Sequence, residues 1–341
     1  MKKLLILFAT LIICASVITG CGTPSNLTGT TTLPVTAGLA DWKIETEPSP
    51  QGNSLTAIWG SSSSDVFIVG VGGTILHYNG QEWNNMDSGT TSNLSSVWGT
   101  SSSDVFAVGA NGTILHYDGK TWSAMDSGTT NWLYAVWGSS SSDVFAKGPQ
   151  NNLHYDGSTW SSILSLNDWP NSLWGSSSSD IFAACLGGTI LHYDGSTWSN
   201  MFKPTISTTA SKTTSTKTTT TTTFTNPYQY YDFYGVWGSS SSDVFVVGGG
   251  HFDGKAIILH YNGKTWITMT SNISDELYGV WGTSSSDVFA VGFTGTILHY
   301  DGKKWSAMKS NTTYDLLGIW GTSSSNIFVV GNGNIILHYN P

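Results

Sequence analysis

The stretch from Trp98 to Met125 reads WGTSSSDVFAVGANGTILHYDGKTWSAM and predicts four short strands. A leucine and a valine lead into Trp98-Gly99, and a polar turn follows. Val105–Val108 and Thr113–Tyr117 are apolar runs, and Asp118-Gly119 after the second favours a type I′ hairpin into a fourth strand. Because the middle strands are apolar on both pleat faces, neighbouring copies must cover the sheet on both sides.

Seven copies of this unit fill most of the chain. Each copy begins with a tryptophan at Trp59, Trp98, Trp137, Trp174, Trp237, Trp281 or Trp320. The usual spacing, 98 − 59 = 39 residues, fits the ~40–50 residues of a four-stranded propeller blade. A second tryptophan marks each fourth strand, at Trp42, Trp83, Trp122, Trp160, Trp198, Trp266 and Trp305.

Trp42 precedes every first strand, whereas the last copy has no fourth strand of its own before Pro341. We therefore predict an all-β, seven-bladed β-propeller of four-stranded antiparallel blades. Its ring closes when the N-terminal strand completes the last blade, which removes unpaired sheet edges.

The N-terminal region predicts export and anchoring. Residues 1–20 combine Lys2-Lys3 with a short apolar run, as in a secretory signal peptide. Ile18-Thr19-Gly20-Cys21 resembles the bacterial lipobox, which implies cleavage before Cys21 and lipidation of its sulfur; an ordinary signal peptide with an incidental cysteine is the alternative. The non-acidic Gly22 resembles sorting to the outer membrane, if the cell has one.

Three further segments follow from composition. Residues 21–40 hold the cysteine and a flexible tether rich in Thr, Pro and Gly, and residues 41–341 form the propeller. The threonine-rich insertion at about 203–227 is interpreted as a solvated loop that does not pack, with threonine-linked glycosylation open.

Charge and cysteine content exclude several classes of function. The chain has 13 Lys and Arg residues together, all of them lysine, against 22 acids. A net-acidic chain without arginine argues against nucleic-acid and anionic-lipid partners. Once the signal is removed and Cys21 is lipidated, Cys185 remains alone in an apolar strand and is predicted to be buried and inert.

Repeated polar residues favour structural roles. Seven of the eight histidines precede a tyrosine at one position of each copy. One histidine per blade does not converge on a metal ion, so we predict bonds to a turn or neighbouring strand, and neither a metal nor a cofactor. An aspartate recurs before the second strand and is Asn326 in the last copy, which predicts a side-chain cap on the turn backbone.

The repeat resembles the superfamily of β-propellers that includes WD40, YVTN, BNR (Asp-box) and kelch-like repeats. The Asp-box spacing D-x-G-x-x-W is only approached by Asp118, Gly119 and Trp122. Sialidases of this superfamily bind the substrate carboxylate with arginines, which this chain lacks, so sialidase activity is excluded.

Sequence differences among the copies gather in loops expected on one face of the propeller. These are the blade-to-blade connections and the loops between second and third strands. Recognition usually involves such loops, although neutral drift explains them as well. The candidate ligand-binding residues are Asn131, Trp132, Asp168, Trp169, Tyr230, His251, Phe252, Asp253, Phe293 and Tyr314.

The function that fits these observations is a lipid-anchored, non-enzymatic protein-interaction or scaffolding module, monomeric, outside the cytoplasmic membrane of a bacterium. The alternative is a carbohydrate-binding, lectin-like propeller in which Trp132 and Trp169 stack on sugar rings beside Asn131 and Asp168. A polysaccharide hydrolase or lyase has less support, because no acid pair marks a cleft.

Overall fold

A computed structural model describes residues 42–45, 53–149, 151–163, 168–202 and 228–341, and the backbone of 205–212 and 218–225. These residues form seven four-stranded antiparallel sheets and one separate two-stranded sheet. The chain is a seven-bladed β-propeller, as predicted. The first strands of successive blades contact one another around the ring, including those of blades 7 and 1, and therefore surround the central axis.

The strands of the first four blades follow the chain order from the innermost strand outward. They are β2 (Leu55–Ser62), β3 (Asp65–Gly70), β4 (Ile75–Tyr78) and β5 (Trp83–Asn85) in blade 1; β6 (Leu94–Ser101), β7 (Asp104–Gly109), β8 (Ile114–Tyr117) and β9 (Trp122–Met125) in blade 2; β10 (Ala135–Ser140), β11 (Asp143–Gly148), β12 (Asn151–Tyr155) and β13 (Trp160–Ile163) in blade 3; and β14 (Pro170–Ser177), β15 (Asp180–Cys185), β16 (Thr189–Tyr193) and β17 (Trp198–Asn200) in blade 4.

The remaining blades repeat this order, and blade 7 is completed by β1 (Lys43–Glu45). They are β20 (Tyr231–Ser240), β21 (Asp243–Gly250), β22 (Ala256–Tyr261) and β23 (Trp266–Met269) in blade 5; β24 (Leu277–Ser284), β25 (Asp287–Gly292), β26 (Ile297–Tyr300) and β27 (Trp305–Met308) in blade 6; and β28 (Leu316–Ser323), β29 (Asn326–Gly331) and β30 (Ile336–Tyr339) in blade 7. Single 3₁₀ turns join second and third strands at Val71–Gly73, Ala110–Gly112, Phe293–Gly295 and Asn332–Asn334.

The core consists of the layers between adjacent blades. In the layer between blades 1 and 2, the fully buried Phe67 contacts Tyr117 and Trp122 at ring-centroid distances of 5.6 and 6.1 Å. Nearer the axis, each first tryptophan lies against the glycine that follows the next blade's tryptophan, so that a Cβ on Gly99 would be 2.8 Å from Trp59. The same contact joins Trp320 to Gly60, and this series of contacts is therefore a closed ring.

The N-terminal strand closes the propeller as predicted. β1 pairs antiparallel with β30, with Lys43 opposite His338. Glu45 accepts a hydrogen bond from the indole N–H of Trp83 in blade 1 at 2.8 Å and lies 3.0 Å from His338 Nδ1 in blade 7. Burial opposes ionisation of Glu45, but the hydrogen bonds with His338 and Trp83 outweigh it and lower the pKa of this carboxyl.

Two local predictions were wrong. The threonine-rich insertion contains a hairpin of β18 (Thr205–Lys212) and β19 (Thr218–Thr225) rather than a loop, because β-branched threonine favours extended backbone. The hairpins between third and fourth strands have four-residue loops, not type I′ turns. The Asp118 carboxylate accepts the N–H groups of Lys120 and Thr121, so only Gly119 needs a positive φ.

The predicted signal peptide, Cys21 and the tether lie outside the described residues, all of which belong to one compact unit, Val35–Pro341. The only helices in the described part are 3₁₀ turns, and none of them is long and apolar enough to span a membrane. Cys185 is buried, as predicted, and burial raises the pKa of its thiol to about 12.

Candidate functional site

The loops divide between two faces of the propeller. On one, which we call the turn face, the glycine of a third-to-fourth hairpin meets the preceding serine-rich turn: a Cβ on Gly119 would be 2.7 Å from the Cβ of Ser103. The other face we call the loop face. There, the backbone N–H of the residue after a second strand donates to the carbonyl of the residue before the first strand, as Ala110 donates to Asn93 at 2.8 Å. The sequence-variable connections therefore share the loop face.

Each turn-face aspartate holds side chains as well as the turn. Asp65 Oδ1 lies 2.7 Å from Nε2 of His77, while the hydroxyl of Ser61 donates to Oδ2. Equivalent aspartate–histidine pairs occur in blades 2 to 6. Burial would raise the pKa of Asp65, but the hydrogen bonds from His77 and Ser61 prevail and lower it. The predicted structural role of the histidines is confirmed, whereas their pairing with the aspartates was missed.

Seven residues surround the axis on the loop face, and we call them the rim. In each blade, the rim residue immediately precedes the first buried residue at the loop-face end of the innermost strand. The rim residues are Ser54, Asn93, Trp132, Trp169, Asp232, Glu276 and Asp315. The rim is therefore polarised, with two indoles in blades 3 and 4 and three carboxylates in blades 5 to 7.

Two of the rim carboxylates support neighbouring loops. Asp232 accepts the N–H of Gly187 at 2.9 Å, and Asp315 accepts the N–H of Thr294 at 3.0 Å. Each bond connects a blade to the loop of the preceding blade. Asp232 also lies 2.8 Å from Nε2 of His251. The hydrogen bonds of these two acids therefore stabilise the loops of the loop face.

Glu276 is placed differently. Its side chain covers Gly249, where a Cβ would lie 2.4 Å from Glu276 Cγ, and its carboxylate accepts a hydrogen bond from the Tyr278 hydroxyl at 3.2 Å. Burial raises the pKa of Glu276, and the nearby charges of Asp232 and Asp315 add to this effect. The site therefore holds a carboxylate that a positive charge would stabilise.

Two tyrosines stand two residues after rim acids. The rings of Tyr234 and Tyr278 meet edge to face with centroids 5.3 Å apart. Burial raises the pKa of both phenols, and the charge of Glu276 raises it further, so both remain neutral donors at neutral pH. Both tyrosines belong to the first strands of blades 5 and 6, which are the strands nearest the axis.

Exposed aromatic residues surround this acidic part of the rim. Phe252 is 85% exposed and Tyr230 is 56% exposed, and their ring centroids are 5.7 Å apart. Phe293 and Tyr314 are also exposed, in the loops of blades 6 and 7. Asp253 forms an ion pair with Lys255 at 3.0 Å. We call Tyr230, Phe252, Phe293, Tyr314 and the three rim acids the acidic–aromatic sector.

The second group of predicted residues lies in blades 3 and 4. Trp132 is turned inward: its indole N–H donates to Ser95 at 2.7 Å, and its ring stacks on Tyr134 at 11° between planes. Trp169 is 41% exposed, and Asn131 beside Trp132 is exposed. Burial raises the pKa of Asp168, although Lys147 partly counteracts it. The two tryptophans therefore do not form a matched pair of exposed platforms.

Lys147 is a buried cation behind this second group. It is 2% exposed, and its Nζ lies 3.6 Å from the ring centroid of Trp198. Within the described residues Nζ has no hydrogen-bond acceptor. Burial lowers the pKa of Lys147 to about 8, and the nearby Asp168 carboxylate opposes this shift only in part.

Among the described residues, no group of three or more His, Cys, Asp or Glu side chains is close enough to hold a metal ion. The rim acids are therefore spread around the mouth of the channel rather than gathered about one point.

No family model and no curated protein matches this sequence. Solved structures, however, share its architecture. The chain has the fold of known propellers. YCF48 bound to a D1 peptide has a TM-score of 0.70 at 15% identity, covering 91% of this chain and 100% of that one.

Two other solved propellers share the fold at slightly lower TM-scores. Virginiamycin B lyase from Staphylococcus aureus has a TM-score of 0.68 at 11% identity and covers 87% of this chain and 99% of that one. The WD40 propeller domain of Doa1 has a TM-score of 0.64 at 12% identity, with coverages of 88% and 95%. Such identities show the fold alone, and these neighbours include both a peptide-bound propeller and a lyase.

All ten predicted ligand-binding residues belong to loop-face connections, in the two groups described above. The ten candidate residues did not include Asp232, Glu276, Tyr234 or Tyr278, although Glu276 lies in one of the variable blade-to-blade connections. An alignment of the seven copies on their first-strand tryptophans places the rim acids in one column and both tyrosines in another, and it would have revealed them.

Proposed function

We propose that this protein is a lipid-anchored, non-enzymatic interaction module that binds a protein partner through its loop face, in the bacterial envelope outside the cytoplasmic membrane. The observation that carries the proposal is the acidic–aromatic sector, where exposed aromatic rings lie beside carboxylates on one face. Exposed aromatic groups of this kind are typical of protein-binding surfaces. The peptide bound to the similarly folded YCF48 supports a propeller as the frame for such binding.

The binding proposal is tested by capture from solubilised envelope with immobilised residues 35–341, the compact unit. Three proteins are compared: wild type, a Tyr230→Ser, Phe252→Ser double variant, and Ile267→Ser. Ile267 is an exposed apolar residue on the outermost strand of blade 5, outside the loop-face connections, and serves as the matched control. We expect a partner that wild type and Ile267→Ser retain and that the double variant loses. Identical capture by all three proteins contradicts a loop-face partner.

The anchor is tested separately by cell fractionation. The proposal rests on the resemblance of residues 18–21 to a lipobox. Cys21→Ser is expected to move the protein from the membrane fraction to the soluble fraction, because a lipid chain attached to Cys21 supplies the membrane affinity. Unchanged membrane association of the variant contradicts lipidation at this cysteine.

Carbohydrate binding receives less support from the geometry. The predicted stacking residue Trp132 uses its N–H on Ser95 and its ring on Tyr134. Only Trp169 of the two tryptophans is exposed.

A further inference from the structure

The acidic–aromatic sector combines two kinds of group that recognise the same chemistry. Phe252, Tyr230, Phe293 and Tyr314 present exposed rings, and Asp232, Glu276 and Asp315 present carboxylates beside them on the rim. Aromatic faces attract ammonium and guanidinium groups, and they also pack against the aliphatic stems of lysine and arginine. A carboxylate supplies the opposite charge for the same side chains.

We propose that the acidic–aromatic sector binds a segment of the partner protein that carries lysine or arginine side chains, with one cationic group seated at Glu276. The inference rests on the proposed function, because it names the chemistry of the partner that the loop face would bind.

The balance of charge on the sector favours this occupant. Among the described residues, Lys255 stands near the sector, and its ammonium is already 3.0 Å from the Asp253 carboxylate. His251 is paired with Asp232 at 2.8 Å, and Lys309 lines a surface cavity together with Tyr314. The charge of His251 acts on Glu276 and opposes the rise of its pKa that burial causes, but Nε2 of His251 is bonded to Asp232. The hydrogen bond that the Glu276 carboxylate accepts comes from the neutral Tyr278 hydroxyl.

The spread of the acids favours a segment over an ion. No three acidic or histidine side chains of the described residues converge closely enough for a metal. Asp232, Glu276 and Asp315 belong to three successive blades. A peptide with cationic side chains at intervals reaches several such points at once.

The experiment measures fluorescence anisotropy of a labelled short peptide in which lysine alternates with leucine, titrated with residues 35–341. The matched probe is the same peptide with every lysine acetylated, which keeps length and apolar character and removes the charge. Glu276→Gln is compared with Glu82→Gln, which removes one charge from the turn face. Melting curves confirm that both variants fold.

We expect the charged peptide to bind at least about tenfold more tightly than the acetylated one and to weaken as salt is raised. Glu276→Gln is expected to weaken binding at least about fivefold, and Glu82→Gln by less than about twofold. Equal binding of the two peptides, no binding of the charged one, or equal effects of the two variants overturns the inference.

The two proposals fail in different ways. Suppose that a partner is captured from the envelope and that the Tyr230→Ser, Phe252→Ser variant loses it, but that neither salt nor Glu276→Gln changes its binding. The loop-face function then stands, and the cationic segment is refuted. If no partner is captured and the charged and acetylated peptides bind equally, both the loop-face function and the cationic segment are refuted.

Discussion

Replacement of Lys147 by methionine is expected to stabilise the propeller. Lys147 occupies a strand position that is apolar in the other six blades, at Val69, Val108, Ala184, Val247, Val291 and Val330. It is 2% exposed, and its Nζ has no hydrogen-bond acceptor among the described residues. Methionine keeps a long unbranched chain that fills the same space without a charge.

The size of the effect follows from the pKa of Lys147, which burial lowers from 10.5 to about 8. Each unit of pKa difference corresponds to about 1.4 kcal/mol, so the charged form costs about 3 kcal/mol in the folded protein. The contact with Trp198 at 3.6 Å offsets about 1 kcal/mol. Near pH 7, where lysine is protonated in both states, the variant is therefore expected to be about 2 kcal/mol more stable.

The pH dependence provides the sharper test. Between pH values of about 8 and 10.5 the unfolded chain binds the Lys147 proton and the folded chain does not, so the stability of the wild type rises with pH in this window. The advantage of Lys147→Met should shrink towards the upper end. Urea unfolding of residues 35–341, wild type and variant, across this range measures the difference, in which other titrating groups cancel.

The exposed Lys303→Met is the control for loss of one lysine and should show no such pH dependence. If Lys147→Met is less stable than the wild type near pH 7, or if its advantage is the same at both ends of the window, the reasoning from desolvation is refuted.

Three further changes test the ring. Glu45→Gln should lower the free energy of unfolding by about 1–2 kcal/mol, because the Glu45 carboxylate pairs with His338 and accepts a hydrogen bond from Trp83. Since the folded pKa of Glu45 is lowered, the effect is present above pH 4.5 and fades as the pH falls below it. Urea unfolding of wild type and variant above and below pH 4.5 checks this. Deletion of residues 41–48 removes β1 and should lower the melting temperature by several degrees, as a loss of about 2–3 kcal/mol does; an unchanged melt contradicts closure by this strand. Gly99→Ala places a Cβ 2.6 Å from the Asp104 carbonyl oxygen and 2.8 Å from Trp59, which should cost about 1–3 kcal/mol in thermal unfolding.

The fold could be predicted well from the sequence because the same strand and turn signals recur in seven copies. The offset between Trp42 and the incomplete last copy was enough to predict the pairing of β1 with β30. Strand pairing follows from local alternation and turn signals, which are visible within one copy.

Contacts that depend on side-chain placement between strands were harder to predict. The histidine of the third strand meets the aspartate that begins the second, as His116 meets Asp104 at 2.7 Å. Each residue had a plausible separate role, so sequence gave no reason to join them. Asn326 shows the same limit, since Glu45 from the other end of the chain supplies the carboxylate to His338 in that blade.

The candidate site was predicted at the level of a face and not of individual side chains. Exposed aromatic residues such as Phe252 and Tyr230 were found because they depart from the repeat. Trp132 departs from it as strongly, yet its indole N–H donates to Ser95 and its ring stacks on Tyr134 within the same molecule. Whether a loop residue turns inward depends on a neighbour such as Ser95, which the pattern of the copies does not reveal.

Closure by β1 also sets an order of events during synthesis. Glu45 and His338 are 293 residues apart, which a ribosome covers in roughly 15–60 s at ~5–20 residues per second. Until His338 has emerged, β1 has no strand to pair with, while blades 1 to 6 already have all of their strands. The pairing of β1 with β30 is thus the last to form. A chain truncated before β30 leaves unpaired strand edges exposed to proteases and to other nascent chains.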